Sequence, residues 1–370
     1  MKIGLLVTGI GNYGQKGFYN TQELGLGKAL LQWVQEVFVY KLAPISSEYQ
    51  KEEYVHENGN KLISQIIPSR CIGSNGLLDT AKLEPSLDVL VYFSDTQLIV
   101  PELDKWSAAN SVKLIPYIGV IESHSTNSIS RAVINLLFRR NLAVYKKHSC
   151  MTKNPRVAEC LKKMGVSDLV IAPVGLDLDL LHSDYKQADI QQLKQKYGYT
   201  ESDKVLLFVG RLIEEKQPLR MIDIFAESHK RDSRYKLLLV GTGELADAVS
   251  AKIKKLGIGD SVQLIDRIPN QDIWELYRIA DCFVNLNQQE IFGMAILEAM
   301  YYGCKVVAWE APGPGFIIED GISGCLADSD EGILQAIFEK NIDPNCAKQR
   351  VLSCFTWENT AKKILKIANI

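Results

Sequence analysis

The chain has 370 residues, of which 46% are hydrophobic and 23% are charged, with a formal net charge of −2 at pH 7. This composition is typical of a soluble globular protein and unlike that of disordered or fibrous chains. The length predicts two domains of about 150–200 residues each. The near-neutral charge supplies no overall basic field that would recruit nucleic acid, so nucleic acid is not an expected partner.

Cysteine usage and hydropathy narrow the class of protein further. The 8 cysteines form no CxxC pair, and no histidine stands at ligand spacing from two of them, so no zinc site is predicted. They fall in apolar stretches such as ADCFV, which is typical of small buried residues in a reducing compartment. No window of ~18 apolar residues would span a membrane, and the first apolar run is too short for a signal peptide. We therefore expect a cytoplasmic protein.

The first half of the chain alternates apolar, strand-like runs with helix-like segments. The predicted strands are 2–9, 37–42, 88–93, 113–121 and 168–174. Helical patterns occur near 20–34 and over 128–147. Continuous apolar runs separated by helices indicate a parallel sheet that is covered on both faces.

The second half repeats this alternation after a polar stretch at 182–204, which holds no strand pattern and is predicted to connect two domains. The second set of predicted strands is 204–210, 235–241, 261–266, 281–286 and 305–309. We therefore predict two Rossmann-like, doubly wound α/β domains, residues 1–182 and 183–354. A terminal amphipathic helix, 355–370, is predicted to pack back towards the first domain. Ligands of such domains bind at the carboxyl ends of the strands.

A glycine-rich turn, Gly9-Ile-Gly11-Asn-Tyr-Gly14, follows the first predicted strand and has GxGxxG spacing. A dinucleotide site would also need a helix that opens at the third glycine and a carboxylate at the end of the second strand. The loop instead continues to Asn20, and the second strand ends in Tyr40 and Lys41. NAD binding is therefore disfavoured. Two interpretations stay open: a loop whose backbone approaches a phosphate, and a tight connection without a ligand.

Arg211 and Lys216 follow the apolar strand that ends at Gly210. A departing diphosphate needs compensating positive charge, for which Arg offers forked donors and Lys a point charge. Because α/β domains bind ligands at the carboxyl ends of strands, these cations are predicted to grip a diphosphate. The alternative is an ordinary pair of surface cations in an acidic loop.

Glu290 and Glu298 bound the segment EIFGMAILE, which follows another predicted strand. Gly293 is predicted to lie where the next helix begins, and the free N–H groups of a helix N-terminus favour phosphate. Glu298 falls inside an otherwise apolar helix, so we expect it to accept hydrogen bonds from ligand hydroxyls or a cation. The alternative is a structural pair of glutamates satisfied by Lys or Arg. A second glycine loop, 311–315, either brings backbone N–H groups to a ligand or simply turns the chain.

Together these motifs resemble the retaining GT-B glycosyltransferases of the family-4 type. The similarity is clearest over 204–327, in VLLFVGRLIEEKQP, LLLVGTGEL, IPNQDIWELYRIADCFV, EIFGMAILEAMYYGCKVVA and IIEDGISGCL. Glu290 with Glu298 resembles the EX7E motif of that family. The first half is similar more weakly, in LGKALLQWVQEV, TKNPRVAECLKKMGV and APVGLDLDLL. The resemblance implies a GT-B architecture, with two Rossmann-like domains that face each other across a cleft.

The resemblance also implies a set of catalytic residues. Arg211 and Lys216 would stabilise the departing nucleotide diphosphate, and Glu290 would bind the transferred sugar. His124 would reach the sugar from the N-terminal domain. Glu122 is an equal candidate for that position. The alternative for His124 is an ordinary polar loop residue without a role in binding.

The residues that the resemblance assigns to nucleotide-sugar binding are Gly17, Gly210, Ile268, Phe292, Gly293, Met294 and Glu298. Backbone N–H groups of 292–294 would meet the sugar and phosphate. Glu298 would bind the ribose hydroxyls, Gly17 would face the β-phosphate, and Ile268 would lie near the base.

The implied activity is that of a hexosyltransferase that retains the anomeric configuration. It would move a hexose or N-acetylhexosamine from a nucleotide sugar, with UDP the favoured carrier, to a glycan, lipid-linked or small-molecule acceptor. No metal and no other cofactor is expected, since cationic side chains and helix ends neutralise the developing charge. Two other classes stay open: a GT-B sugar-nucleotide epimerase or phosphorylase, and a non-catalytic partner or protein-glycosylation subunit.

The segment RAVINLLFRRNLAVYKK, residues 131–147, places basic side chains among large apolar ones. A basic amphipathic helix of this kind can lie on an anionic membrane, which would make the protein peripheral to the inner face. The alternative is a helix that packs its apolar stripe on the sheet and leaves its charges in solvent.

Overall fold

A computed structural model provides the structure of the protein and describes residues 1–10, 22–73, 75–93, 98–119, 121, 128–339 and 341–369. The chain forms two compact α/β units. The first comprises Met1–Gly175 together with Thr356–Ile370, and the second is Leu176–Phe355. Within the described ranges, every helix is too short or too polar to cross a membrane.

The first unit contains one sheet, whose described strands are β1 (Lys2–Val7), β2 (Glu36–Pro44), β3 (Gln50–Val55), β4 (Lys61–Ile72), β5 (Asn75–Leu77), β6 (Val89–Phe93), β7 (Lys113–Ile118), β8 (Cys150–Thr152) and β9 (Leu169–Ile171). The strand order is β3-β4-β2-β1-β6-β7-β8-β9, and β5 pairs with β4. All pairings are parallel except those of β3 and β5 with β4. The central strands are mostly apolar and buried except at their ends, as expected for a sheet with both faces covered.

Helices α1 (Gln22–Leu30), α2 (Val100–Ala109), α3 (Ser128–Tyr145) and α4 (Pro155–Lys163) belong to the first unit. The start of α4 shows how the sequence sets a boundary. Asn154 accepts a hydrogen bond from the backbone N–H of Val157 at 2.9 Å, and Pro155 occupies the first helical turn, where its missing N–H costs nothing.

The second unit contains a parallel sheet of β10 (Lys204–Val209), β11 (Tyr235–Val240), β12 (Val262–Ile265), β13 (Cys282–Asn285), β14 (Val306–Trp309) and β15 (Cys325–Ala327). Its order is β12-β11-β10-β13-β14-β15, so the direction of winding reverses between β10 and β13. Its helices are α5 (Ile190–Lys196), α6 (Pro218–Arg231), α7 (Ala246–Leu256), α8 (Ile273–Ile279), α9 (Met294–Tyr301), α10 (Pro314–Ile317), α11 (Asp330–Glu339) and α12 (Pro344–Cys354). This is the Rossmann-like arrangement predicted from the sequence.

The last helix, α13 (Trp357–Ala368), belongs to the first unit and packs on α1. It buries Trp357, Ala361 and Ile364. The Thr360 hydroxyl donates to the carbonyl of Pro173 at 2.6 Å. The first unit is therefore built from two separate stretches of the chain.

The boundary between the units lies earlier than the predicted one at residue 182. The segment after Gly175 packs onto the second unit, because the His182 ring stacks on Trp274 with centroids 4.3 Å apart. The Tyr185 hydroxyl also donates to the carbonyl of Tyr301 at 3.0 Å. A polar composition alone did not reveal these contacts.

The cysteines are all free, and they differ in exposure. Cys150, Cys282, Cys304 and Cys325 are buried, as predicted for apolar stretches. Cys160 and Cys354 are half-buried. The prediction of burial is wrong for Cys71 and Cys346, which are exposed because they lie in a surface strand and a surface helix.

Candidate functional site

The predicted donor-binding residues of the second unit lie at the carboxyl edge of its sheet. Gly210 directly follows β10, and the segment that leads to Glu290 follows β13. Strands β10 and β13 are neighbours at the point where the strand order reverses. Open α/β sheets leave a crevice for ligands at such a point, so the sheet topology itself selects this location.

The turn after β10 is held by a second turn that follows β11. A Cβ atom on Gly241 would lie 1.8 Å from the carbonyl oxygen of Gly210, and one on Gly243 would lie 2.4 Å from that of Leu212. Only glycine permits this contact of backbone on backbone. The contact fixes the turn that carries Arg211, whose own side chain is exposed.

Lys216 closes a short helical turn, Glu214–Lys216, just beyond Arg211. Its Nζ atom lies 2.7 Å from Oε2 of Glu290 and 3.5 Å from Oε1 of Glu215. The structure thus brings Lys216 and Glu290 together from two different strand ends. The contact agrees with the alternative that Glu290 is a structural glutamate paired with a lysine. It also places a cation and a carboxylate side by side at the carboxyl edge of the sheet.

Asn287 is a site residue that the sequence analysis missed. Its Nδ2 atom lies 3.1 Å from Oε2 of Glu290 and 3.1 Å from Oε1 of Glu215, so the amide donates to both carboxylates. The residue is 1% exposed. The available signal was a polar residue immediately after an apolar strand, at the functional edge of the sheet.

The glycine loop at 311–315 acts on the site through the backbone. The N–H of Gly313 donates to the carbonyl of Glu290 at 2.7 Å. A Cβ atom on Gly313 would lie 2.3 Å from the carbonyl oxygen of Phe292. This close backbone approach holds the 290–292 segment in place, a role that neither of the two interpretations left open had included.

Helix α9 begins where the sequence predicted, immediately after Gly293, whose φ of 103° favours glycine. The first amides of a helix, including that of Met294, have no intrahelical acceptor and carry partial positive charge. The ring of Phe292 is buried and packs edge-on against Phe355, with centroids 6.2 Å apart. Phe292 can therefore offer its backbone, not its ring, to a ligand.

Glu298 lies in the middle of α9 and is 7% exposed. The hydroxyl of Tyr277, on α8, donates to its Oε2 atom at 2.9 Å. The sequence predicted that this carboxylate would pair with ligand hydroxyls, with a cation, or with a nearby Lys or Arg side chain. Tyr277 was not among these alternatives.

The remaining predicted residues are less closely grouped. Ile268 is half-buried in the loop after β12, a strand that is separated from β10 by β11. It shares the carboxyl edge of the sheet with Arg211 without being adjacent to it. Gly17, Glu122 and His124 lie outside the described residues.

Comparison with known proteins identifies the same region. Residues 189–340 match the model of the family "Glycosyl transferases group 1". The alpha-monoglucosyldiacylglycerol synthase of Streptococcus pneumoniae is 26% identical over 197 residues, which cover 53% of this chain and 45% of that protein. The N-acetyl-alpha-D-glucosaminyl L-malate synthase of Bacillus anthracis is 31% identical over 144 residues, which cover 39% and 37%. The chain thus spans about half the length, or less, of these curated relatives.

A solved structure extends the likeness to the whole fold. HepE of Anabaena, in complex with UDP and glucose, aligns with a TM-score of 0.68 at 18% identity and covers 100% of this chain and 99% of that one. At this identity the alignment shows the fold alone, which is GT-B. The family match over 189–340, the curated relatives and the fold of the whole chain together support a glycosyltransferase of the GT-B, family-4 type.

Proposed function

We propose that this protein is a retaining hexosyltransferase that moves a hexose or N-acetylhexosamine from a UDP-sugar to an acceptor hydroxyl. The observation that carries the proposal is the meeting of Lys216 and Glu290, beside Arg211, at the strand-order reversal of the second unit. Cations at that edge suit a diphosphate, and the carboxylate beside them suits sugar hydroxyls. UDP as the carrier is supported by the UDP and glucose bound in HepE.

The proposed reaction exchanges one bond at the anomeric carbon. Its bond to the β-phosphate oxygen breaks, and the acceptor oxygen bonds to the same face of the sugar. The acceptor proton passes to an oxygen of the departing phosphate. Arg211 and Lys216 compensate the negative charge that develops on the diphosphate. Lys216 already contacts Glu290, so a bound donor would share this ammonium group with the carboxylate.

The rest of the donor is assigned along the same edge. Glu298 would bind the ribose hydroxyls, and the backbone amides of 292–294 would bind the phosphate and the sugar. Ile268 would lie near the base. Gly17 for the β-phosphate, and His124 or Glu122 for the sugar, are assigned on the family resemblance. Gly210 would let the donor approach the backbone after β10.

The cationic pair also leads us to propose transfer without a metal ion. Arg211 and Lys216 can supply the charge neutralisation that Mg²⁺ or Mn²⁺ supplies elsewhere. Transfer should then proceed at an unchanged rate in EDTA. A loss of activity that Mn²⁺ or Mg²⁺ restores would contradict this part of the proposal.

The acceptor is proposed only as a class: a glycan, a lipid-linked molecule or a small molecule. Two relatives are named for products that contain diacylglycerol and L-malate. Helix α3 supports a lipid acceptor, because it exposes Val133 and Leu136 together with Arg131 and Arg139. We propose that this face contacts the anionic inner leaflet of a membrane from the cytoplasm.

The membrane contact is tested with vesicles. The protein should sediment with phosphatidylglycerol vesicles and stay in the supernatant with phosphatidylcholine vesicles. Leu136→Glu should reduce the bound fraction, whereas Leu264→Glu, at an exposed leucine of the second unit, should not. Equal sedimentation of all three proteins would contradict the contact.

The activity is tested first with a thermal-shift panel of UDP-, GDP- and ADP-sugars, since a ligand of the folded state raises stability. Transfer is then followed by NMR, where the proposal expects an α-linked product from an α-configured donor. Lys216→Met should lower kcat by about a hundredfold. Lys252→Met, which removes a surface ion pair with Asp223, is the matched control.

The outcomes separate the competing classes. Conversion of a donor to its epimer in the absence of an acceptor would indicate an epimerase. Breakdown of a glycan that depends on phosphate would indicate a phosphorylase. Binding of nucleotide sugar without any turnover would favour a non-catalytic partner. A protein that no nucleotide sugar stabilises would contradict the whole assignment.

A further inference from the structure

One buried amide, that of Asn287, contacts two acidic side chains that come from different parts of the second unit. Glu215 belongs to the turn after β10, and Glu290 belongs to the segment after β13. The Nδ2 atom of Asn287 lies 3.1 Å from a carboxylate oxygen of each. A primary amide has two N–H bonds, so one group can serve both carboxylates at once.

The orientation of the amide follows from its third contact. Its Oδ1 atom accepts a hydrogen bond from the backbone N–H of Gln289 at 2.9 Å. The oxygen is therefore turned towards the backbone, and the nitrogen must face the carboxylates. An aspartate at this position would place a third negative charge beside Glu215 and Glu290, with no hydrogen to donate.

These contacts act on a single oxygen of Glu290. Lys216 and Asn287 both approach Oε2, at 2.7 and 3.1 Å. In the described part of the chain no side chain donates to Oε1 of Glu290. The carboxylate is thus held by one oxygen, which leaves the other to accept hydrogen bonds from a ligand.

We propose that Asn287 is a positioning residue that aims Glu290 at the transferred sugar and thereby sets which sugar is accepted. The inference rests on the proposed function and adds the source of sugar selectivity to it. In this proposal Asn287 contacts Glu215 and Glu290 and not the donor. It acts through Glu290, so its loss should affect the sugar and leave the nucleotide unaffected.

The test compares Asn287→Ala and Asn287→Asp with the unchanged protein. Binding of free UDP is measured by calorimetry, and kcat and KM are measured for UDP-sugar donors that differ at one hydroxyl. We expect UDP affinity to stay within about twofold, while kcat for the preferred sugar falls about tenfold or more and the preference between donors narrows. Asn287→Gln, which retains the amide, should recover part of the rate.

Tyr277→Phe serves as the matched control at the other carboxylate of the pair. It should weaken UDP binding while leaving the preference between sugars intact, which is the opposite pattern.

Equal losses of UDP affinity and transfer in Asn287→Asp would show a merely structural role and overturn the inference. So would an unchanged sugar preference in both Asn287 variants. If Asn287→Ala fails to fold, the isosteric Asn287→Asp and the Asn287→Gln variant decide the question. Absence of transfer by the unchanged protein overturns the proposed function itself, and the inference with it.

Discussion

The hydroxyl of Tyr277 donates a hydrogen bond to the carboxylate of Glu298 across 2.9 Å, and Tyr277 is 1% exposed. The contact joins α8 to α9. A buried carboxylate without such donors would be strongly destabilising, because its charge has left water. Tyr277 therefore offsets part of the cost of burying the Glu298 carboxylate in an apolar helix.

Tyr277→Phe should remove this hydrogen bond without changing the packing of the ring. The loss should cost about 1–3 kcal/mol of stability, because a hydrogen bond to a buried carboxylate disappears. UDP should bind about tenfold more weakly, since Glu298 is the proposed ribose ligand and would lose one of the contacts that orient it. Thermal unfolding and calorimetric titration with UDP measure the two effects.

Tyr302→Phe is the control for that variant. Tyr302 is buried in the same cluster, and its ring stacks on that of Tyr277 with centroids 6.1 Å apart. Its hydroxyl accepts a hydrogen bond from the backbone of His182 at 3.1 Å. We expect reduced stability with normal UDP affinity. Equal weakening of UDP binding in both variants would mean that the cluster acts only by packing.

Two glycines of one loop should respond differently to the same substitution. A methyl group on Gly313 would lie 2.3 Å from the carbonyl oxygen of Phe292, whereas one on Gly315 would meet nothing within 4 Å. Gly313→Ala should cost about 1–3 kcal/mol and lower kcat, because the 290–292 backbone must move. Gly315→Ala should stay within about 0.5 kcal/mol of the unchanged protein. Urea unfolding and initial rates are the measurements, and similar behaviour of the two variants would refute the steric argument.

A buried ion pair in the first unit should contribute to its stability. Lys41, near the end of β2, contacts Glu23 in the first turn of α1, and the side chains are 8% and 2% exposed. Lys41→Met should cost about 3–5 kcal/mol, because it leaves the Glu23 charge buried without its partner. The double variant Lys41→Met with Glu23→Leu should regain much of that loss. The urea midpoint is the measurement.

Lys2→Met is the control for the buried pair. Lys2 contacts Glu36 at 3.0 Å in a pair that is open to solvent. Such exposed pairs contribute little, so this substitution should leave the urea midpoint almost unchanged. A large effect at Lys2, or a negligible one at Lys41, would show that burial does not decide the strength of these pairs.

The cysteines should divide by reactivity as they do by exposure. Burial raises the pKa of the Cys282 thiol to about 12, and burial likewise raises that of Cys150 to about 12. The reactive form is the thiolate, so at pH 8 only about one in ten thousand of these thiols is ready to react. Iodoacetamide should therefore modify Cys71 and Cys346 in the native protein and spare Cys282 and Cys150. Peptide mass spectrometry reads the pattern, and urea should make all 8 cysteines reactive.

The sequence was most informative where a strand is buried on both faces. Runs such as VLLFV became β10, because a parallel sheet covered by helices needs continuous apolar residues. The β3–β4 pair was not predicted: every residue of β3 (QKEEYV) is exposed, so this strand has no buried apolar face, and the apolar residues of β4 were not recognised as a strand. The three-residue strands β8 and β15 were too short to show a pattern.

The site was predictable to the extent that its residues follow buried strands. Arg211, Lys216 and Glu290 could be chosen by that rule, and the structure brings Lys216 and Glu290 into contact. Asn287 also follows a buried strand, β13, and the same rule could have included it, whereas Tyr277 lies inside a helix and could not be chosen this way. The pairing of Tyr277 with Glu298 depends on how two helices pack, which neither spacing nor composition reveals.

The first unit draws its final helix from beyond the second unit, so the whole of Leu176–Phe355 is inserted into it. During synthesis, Met1–Gly175 leaves the ribosome before α13 has been made. The first unit can bury Trp357 and Ile364 only after that helix has also emerged. The second unit is contiguous and has no such delay. The later-translated unit can therefore complete its fold before the earlier one does.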